Sequence, residues 1–163
     1  MKVIKYLLNT LSIFVTFIIL AMAILYLLGI VPTIVTSGSM IPNLEVGELC
    51  FINTKYPYEN VKIGDIIVYI EPRQKVIHRV VEKNENYLRT KGDANEQIDR
   101  LKITKNAYYG KYVFSIPKVG FITTSLQNNI GKTIFVTSII ILFVATYLLN
   151  YAMKEREKNG NNR

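Results

Sequence analysis

Two residue types that often carry chemistry are nearly missing: the 163-residue chain has one cysteine, Cys50, and one histidine, His78. A lone cysteine cannot close an intramolecular disulfide, and no cluster of Cys or His stands near it to build a zinc site. Cys50 lies in the apolar run Leu49-Cys50-Phe51-Ile52 and reads as a small core hydrophobe. No metal or other cofactor is expected.

Basic runs are missing as well. The formal charge of +8, from 20 Lys+Arg against 12 Asp+Glu, would suit nucleic acid or an anionic lipid surface. Across 32–131, however, 13 basic residues are scattered among ten acidic ones, with no Lys/Arg run and no aromatic-basic stripe. That distribution argues against a nucleic-acid partner. The same segment shows no amphipathic 3.6-residue pattern of useful length, no internal repeat and no low-complexity stretch.

Long apolar runs, by contrast, are present twice. Residues 6–31 contain no charge and exceed the roughly 20 residues a helix needs to cross a bilayer. A cleavable signal peptide is the rival reading, because Lys2 and Lys5 give a basic start and Ala21-Met22-Ala23 resembles a small-x-small cleavage site. The apolar run continues through Ile30, too long for a signal h-region of about 7 to 15 residues, so an uncleaved anchor is expected. Residues 133–153 form a second uncharged run, bounded by Lys132 and by Lys154-Glu155-Arg156-Glu157-Lys158. Two crossings put both termini on one side, and Lys2, Lys5, Lys154, Arg156 and Lys158 favour the cytoplasm for that side. The expected organisation is a short cytoplasmic N-terminus (1–5), an anchor helix (6–31), an outward-facing domain (32–131), a second span (133–153) and a basic cytoplasmic tail (154–163).

Between the spans, residues 49–53, 65–70, 76–82, 87–90 and 111–116 are short runs rich in Val, Ile, Tyr and Phe, separated by turn formers. They predict strands and an all-β domain. Glu71-Pro72-Arg73-Gln74 suits a type I turn joining two of them, and Lys83-Asn84-Glu85-Asn86 is the next reversal.

Three stretches of the outer segment carry functional groups. His78 lies in Val76-Ile77-His78-Arg79-Val80-Val81, where strand alternation places it on the face of Val76 and Val80; such a rigid mount suits a general base. Thr36-Ser37-Gly38-Ser39-Met40-Ile41-Pro42 follows the first span. By itself it reads as a loop, yet Gly38 allows a close or strained backbone that would present the Ser39 hydroxyl beside backbone donors. Lys91-Gly92-Asp93-Ala94-Asn95, with Asp99-Arg100 beyond, reads as a polar loop and also offers two carboxylates of the kind that fix a histidine tautomer.

Together these stretches resemble signal peptidase I, and specifically its serine–histidine branch of the endoplasmic reticulum, archaea and some Gram-positive bacteria. Ser37-Gly38-Ser39-Met40-Ile41-Pro42 looks like the family's nucleophile box, Gly64-Asp65-Ile66-Ile67-Val68 like a strand motif, Ile77-His78-Arg79-Val80 like the base box, and Lys91-Gly92-Asp93-Ala94-Asn95 with Asp99 like the acidic box. The resemblance covers the outer segment and the first span; only some members share the second span. It implies the signal-peptidase/LexA-like β fold and a membrane-bound serine endopeptidase that removes signal peptides from exported preproteins, working alone or with accessory subunits. By the same resemblance Ser39 is the nucleophile and His78 the base, Asp99 or else Asp93 orients the imidazole, and the oxyanion meets the Ser39 N–H and the Ser37 hydroxyl. Met40 and Ile41 would lie near the membrane and the substrate. Lysine-type members carry a lysine in the base box; a base at Lys75 or Lys91 would need its pKa lowered from about 10.4, whereas histidine sits near 6.5. The alternative is a catalytically inactive, membrane-anchored β-domain that binds extended segments of exported proteins.

Overall fold

A computed structural model describes residues 2–72, 74–119 and 129–160. Met1, Arg73 of the expected turn, residues 120–128 at the end of the expected outer segment and residues 161–163 of the tail lie outside the described residues. The chain divides into two compact units, one made of the two terminal helical regions and the other of 25–124.

In the first unit, helices α1 (Lys2–Leu27) and α2 (Asn129–Gly160) contain the apolar stretches Val3–Leu27 and Gly131–Lys154. Each is long enough to cross a bilayer: 25 helical residues extend about 37 Å at 1.5 Å per residue. Four of their polar side chains meet across the pair, while Thr16, Thr137 and Ser138 bond to carbonyls of their own helix. Ser12 and Thr146 share a hydroxyl–hydroxyl bond of 2.9 Å, and the Asn150 amide donates to Asn9 Oδ1 at 3.0 Å.

The second unit is a β domain. Among the described residues, six strands form one antiparallel sheet in the order β1-β2-β6-β3-β4-β5: β1 (Ile30–Ile34), β2 (Leu49–Asn53), β3 (Ile66–Glu71), β4 (Gln74–Lys83), β5 (Leu88–Lys91) and β6 (Tyr108–Ile116). Five of these coincide with the runs expected from sequence. β1 was hidden in the apolar run 6–31, which is not helical throughout. Gly29 adopts φ 81°, the Lys55 ammonium accepts the role of a cap by donating to the Leu27 carbonyl at 2.7 Å, and Pro32 tolerates a strand because β1 lies at the sheet edge. Glu71 pairs with Gln74 across the first expected reversal. At the second, Asn84 Oδ1 accepts the N–H groups of Asn86 and Tyr87 at 2.9 and 2.8 Å, an Asx turn.

Both faces of the sheet are covered at β3. Val68 belongs to a buried cluster with Val35, Met40, Leu44, Cys50 and Ile52, while Ile67 and Tyr69 belong to a second with Val61, Val80, Leu88 and Ile103. Alternation along the strand sends them to opposite sides, which explains why β3 reads as an unbroken apolar run. Cys50 is a free, buried member of this core, as its sequence context implied.

Candidate active site

Ser39 sits in a single 3-10 turn, Gly38–Met40. The turn is fastened at several points. Ile41 N–H donates to the Gly38 carbonyl at 3.2 Å, Leu44 N–H to that of Met40 at 2.9 Å, and Ala94 N–H to that of Ser39 at 2.9 Å. Gly92 makes the last bond possible, because a Cβ there would lie 2.6 Å from the Ser39 oxygen. Met40 anchors the turn from below: it is completely buried in the first core cluster. This corrects the expectation that the Met40 side chain meets the membrane interface and the substrate. Packing claims the longer, flexible side chain, and only Ile41, 46 % exposed, remains on the outside.

His78 projects from β4 onto the face of Val76 and Val80, as alternation required, and is buried. Its Nε2 lies 3.0 Å from Ser39 Oγ and its Nδ1 lies 2.6 Å from Asp99 Oδ2. Asp99 is held by its own N–H, which donates to the Thr90 carbonyl at 2.8 Å. Its Oδ2 also accepts the hydroxyls of Thr90 and Tyr69 at 2.7 and 3.2 Å. Tyr69 and Thr90 belong to none of the three stretches that carry functional groups in the sequence; the available signal was a hydroxyl residue inside each of two strands.

Asp93 is occupied elsewhere. Arg79, the next residue of β4 and therefore on its other face, donates Nε to Asp93 Oδ1 at 2.8 Å and Nη2 to Oδ2 at 2.7 Å. Asn43 adds a third bond at 2.7 Å, and Arg79 Nη1 reaches the Gly64 carbonyl at 2.9 Å. The paired guanidinium holds the Asp93 carboxyl below the usual carboxylate range, against the opposing effect of burial. Arg79 and Asp93 thus tie the turn before β3 to the loop that fastens Ser39.

The Ser37 hydroxyl lies 3.3 Å from Ser39 Oγ and makes no cap to its own turn. The Ser39 N–H stands at the start of that turn, where backbone donors lack an intrahelical partner. Lys75 and Lys91 do not engage Ser39 among the described residues; the Lys75 ammonium lies 3.7 Å from the centroid of the Tyr109 ring.

An open cleft of about 650 Å³ runs past these groups, lined among others by residues 33–37 and 74–78, Asn95 and Asp99. Among the described residues, two of its walls are backbone without a strand partner. Val35 donates to the Glu48 carbonyl and accepts from Gly47, so Ile34 and Thr36 direct their backbone groups to the opposite edge. β5 pairs with β4 only from Arg79 onward, leaving the same edge of 74–78 open.

A hydroxyl bonded to an imidazole, whose second nitrogen meets a carboxylate, can transfer its proton as an acyl group is attacked; the fold and the cleft therefore fit the serine-protease class. Residues 7–95 match the family described as signal peptidase, peptidase S26, and the chain belongs to that family. It is 36% identical over 109 residues to the signal peptidase complex catalytic subunit SEC11 of Colletotrichum graminicola, covering 58% of this chain and 63% of that protein. The corresponding subunit of Scheffersomyces stipitis is 32% identical over 111 residues (60% and 66%) and that of Saccharomyces cerevisiae 32% over 111 residues (59% and 65%). The chain spans a little under two thirds of the length of these relatives.

Proposed function

We propose that this chain is a membrane-bound signal peptidase of the serine–histidine type. The observation that carries the reading is the continuous chain of bonds from Ser39 Oγ to His78 Nε2, at 3.0 Å, and from His78 Nδ1 to Asp99, at 2.6 Å, inside a cleft walled by open backbone edges.

In this mechanism His78 Nε2 takes the hydroxyl proton as Ser39 Oγ attacks the scissile carbonyl carbon. Asp99 keeps Nδ1 protonated and stabilises the imidazolium that forms. The tetrahedral oxyanion is met by the Ser39 N–H and the Ser37 hydroxyl. Collapse breaks the C–N bond, and His78 returns its proton to the leaving amine, leaving an acyl-serine. Water, deprotonated by His78, then releases the acid and restores Ser39. Asp93 serves the architecture through Arg79 rather than the imidazole.

The substrate is an extended segment of a preprotein, lying as an added strand between residues 33–37 and 74–77. The two apolar helices span the membrane with both termini cytoplasmic, since Lys2, Lys5 and Lys154 flank them on that side. The β domain then faces outward, at the cell membrane or in the endoplasmic reticulum. The relatives are named as subunits of a signal peptidase complex, which supports accessory subunits as partners here too.

The test uses the full chain purified in detergent and incubated with a secretory precursor. Cleavage that disappears in Ser39→Ala and in His78→Ala is the expected result. Unchanged cleavage in either variant refutes the assignment, and cleavage lost with Lys75→Ala or Lys91→Ala but not His78→Ala would transfer the base to lysine. A wild-type chain that binds the precursor without cutting it would instead be the inactive binding domain.

A further inference from the structure

We propose that Tyr69 and Thr90 are positioning residues that fix the Asp99 carboxylate against His78, an inference that rests on the function proposed above. Asp99 Oδ2 receives three donors, one from each of three neighbouring strands: Tyr69 OH from β3 at 3.2 Å, His78 Nδ1 from β4 at 2.6 Å and Thr90 Oγ1 from β5 at 2.7 Å. Asp99 itself lies outside any strand or helix, and the terminal torsion of an aspartate is broad and roughly two-fold. Main-chain bonds fix only its backbone, through Asp99 N–H to the Thr90 carbonyl at 2.8 Å and Arg89 Nη2 to the Asp99 carbonyl at 3.5 Å. Among the described residues, the two hydroxyls are what hold Oδ2 against the imidazole.

Neither hydroxyl is needed for packing. Tyr69 and Thr90 are 1 % and 0 % exposed, so an apolar residue of the same shape would fill either position, while each hydroxyl must find a partner. The partner in both cases is the same oxygen that faces His78. Burial raises the Tyr69 phenol well above its ordinary range, so it stays protonated and donates throughout the neutral range. Of the cationic side chains close by, Arg89 pairs with Glu82 at 3.5 Å and Arg100 lines the cleft; neither guanidinium is bonded to the Asp99 carboxylate among the described residues. Its orientation therefore depends on neutral hydroxyls. Such donors hold the carboxylate in place while leaving its charge available to the imidazolium.

The experiment compares Tyr69→Phe, Thr90→Val and Thr90→Ser in the full-length protein, with precursor cleavage followed over a range of substrate concentrations and thermal melting measured in parallel. Loss of one hydrogen bond to a charged group predicts a fall in kcat of about ten-fold for Tyr69→Phe and for Thr90→Val. KM should stay within about two-fold, and Thr90→Ser, which keeps the hydroxyl, should recover most of the kcat. The proposal is overturned if the Phe and Val variants keep wild-type kcat, or if Thr90→Val and Thr90→Ser lose it equally, which would mark packing as the cause. Ser39→Ala and His78→Ala run alongside: if they also cleave, the proposed function has failed rather than the role of the hydroxyls.

Discussion

The backbone N–H of Ala94 donates to the carbonyl oxygen of Ser39 at 2.9 Å, joining the loop that follows β5 to the turn that presents the serine. The bond couples two stretches distant in the chain, and it exists because Gly92 leaves room for it. A methyl group at Gly92 would stand 2.6 Å from the Ser39 oxygen and 2.7 Å from Asn95 Nδ2. The Asn95 amide can swing aside, but the Ser39 carbonyl is backbone and must carry the turn with it. Gly92→Ala is therefore expected to cost about 1–3 kcal/mol of stability and to cut turnover further than that loss of folded protein accounts for. Thermal melting and precursor cleavage on the same preparation provide the check; wild-type turnover in the variant would contradict the coupling.

The two carboxylates of the loop should respond differently to amidation. Asp99→Asn leaves shape intact but presents an amide to His78 Nδ1, favouring the wrong tautomer, so turnover is expected to fall by about 10⁴-fold with little change in melting. Asp93→Asn removes the charge that Arg79 grips and should mainly lower stability. Because pairing depresses the folded-state pKa of Asp93, its stabilising effect is fully present above the unfolded value near 3.9 and is lost as pH falls through the lower folded value. The stability difference between wild type and Asp93→Asn should accordingly be constant near neutrality and shrink in acid below about pH 4. Equal loss of turnover in both variants would undo the division of labour.

How much of this was legible in the sequence depended on punctuation. β2 was readable at Leu49–Asn53 because turn formers bound a short apolar run. β1 was not, since a strand and a membrane helix draw on the same Ile, Val and Leu residues, and only Gly29 and Pro32 mark where one gives way to the other. Ser39 and His78 could be singled out by residue type and motif. The choice between Asp93 and Asp99 could not, because it turns on strand alternation: His78 and Arg79 are adjacent on β4 and face opposite ways, so one meets Asp99 and the other takes Asp93. Met40 misled because an apolar residue in a Ser/Gly/Pro-rich loop looks exposed until the core beneath the loop is known.

Cys50 offers a test of the core independent of catalysis. Burial, reinforced by the nearby Glu48 carboxylate, pushes its thiol up to about 12, and the thiolate is the reactive form. The folded protein is expected to resist alkylation by iodoacetamide at pH 8 and to react fully once denatured, as read by intact mass. Rapid modification of the native protein would mean that the core around Val35, Leu44 and Ile52 is open.

The two helices make a further prediction because two side-chain hydrogen bonds cross between them. Ser12 meets Thr146 at 2.9 Å, and Asn9 meets Asn150 at 3.0 Å; Asn9 and Ser12 lie three positions apart on α1, and Thr146 and Asn150 four apart on α2, so both bonds fall on one helical seam. Interhelical hydrogen bonds in membranes contribute only about 0.6 kcal/mol each on average, so replacing Ser12 alone by leucine should be tolerated. The geometry is the stronger test. In a Cys50→Ser background, the pair Ser12→Cys and Thr146→Cys brings two thiols to positions now occupied by touching hydroxyls, and mild oxidation in membranes should form an intramolecular disulfide, seen as protection of both thiols from maleimide and reversed by reductant. Replacing Ile13 instead of Ser12 moves the thiol about 100° around α1 and should abolish the cross-link. A disulfide that forms equally well from position 13, or none from position 12, would show that the helices do not meet along this seam.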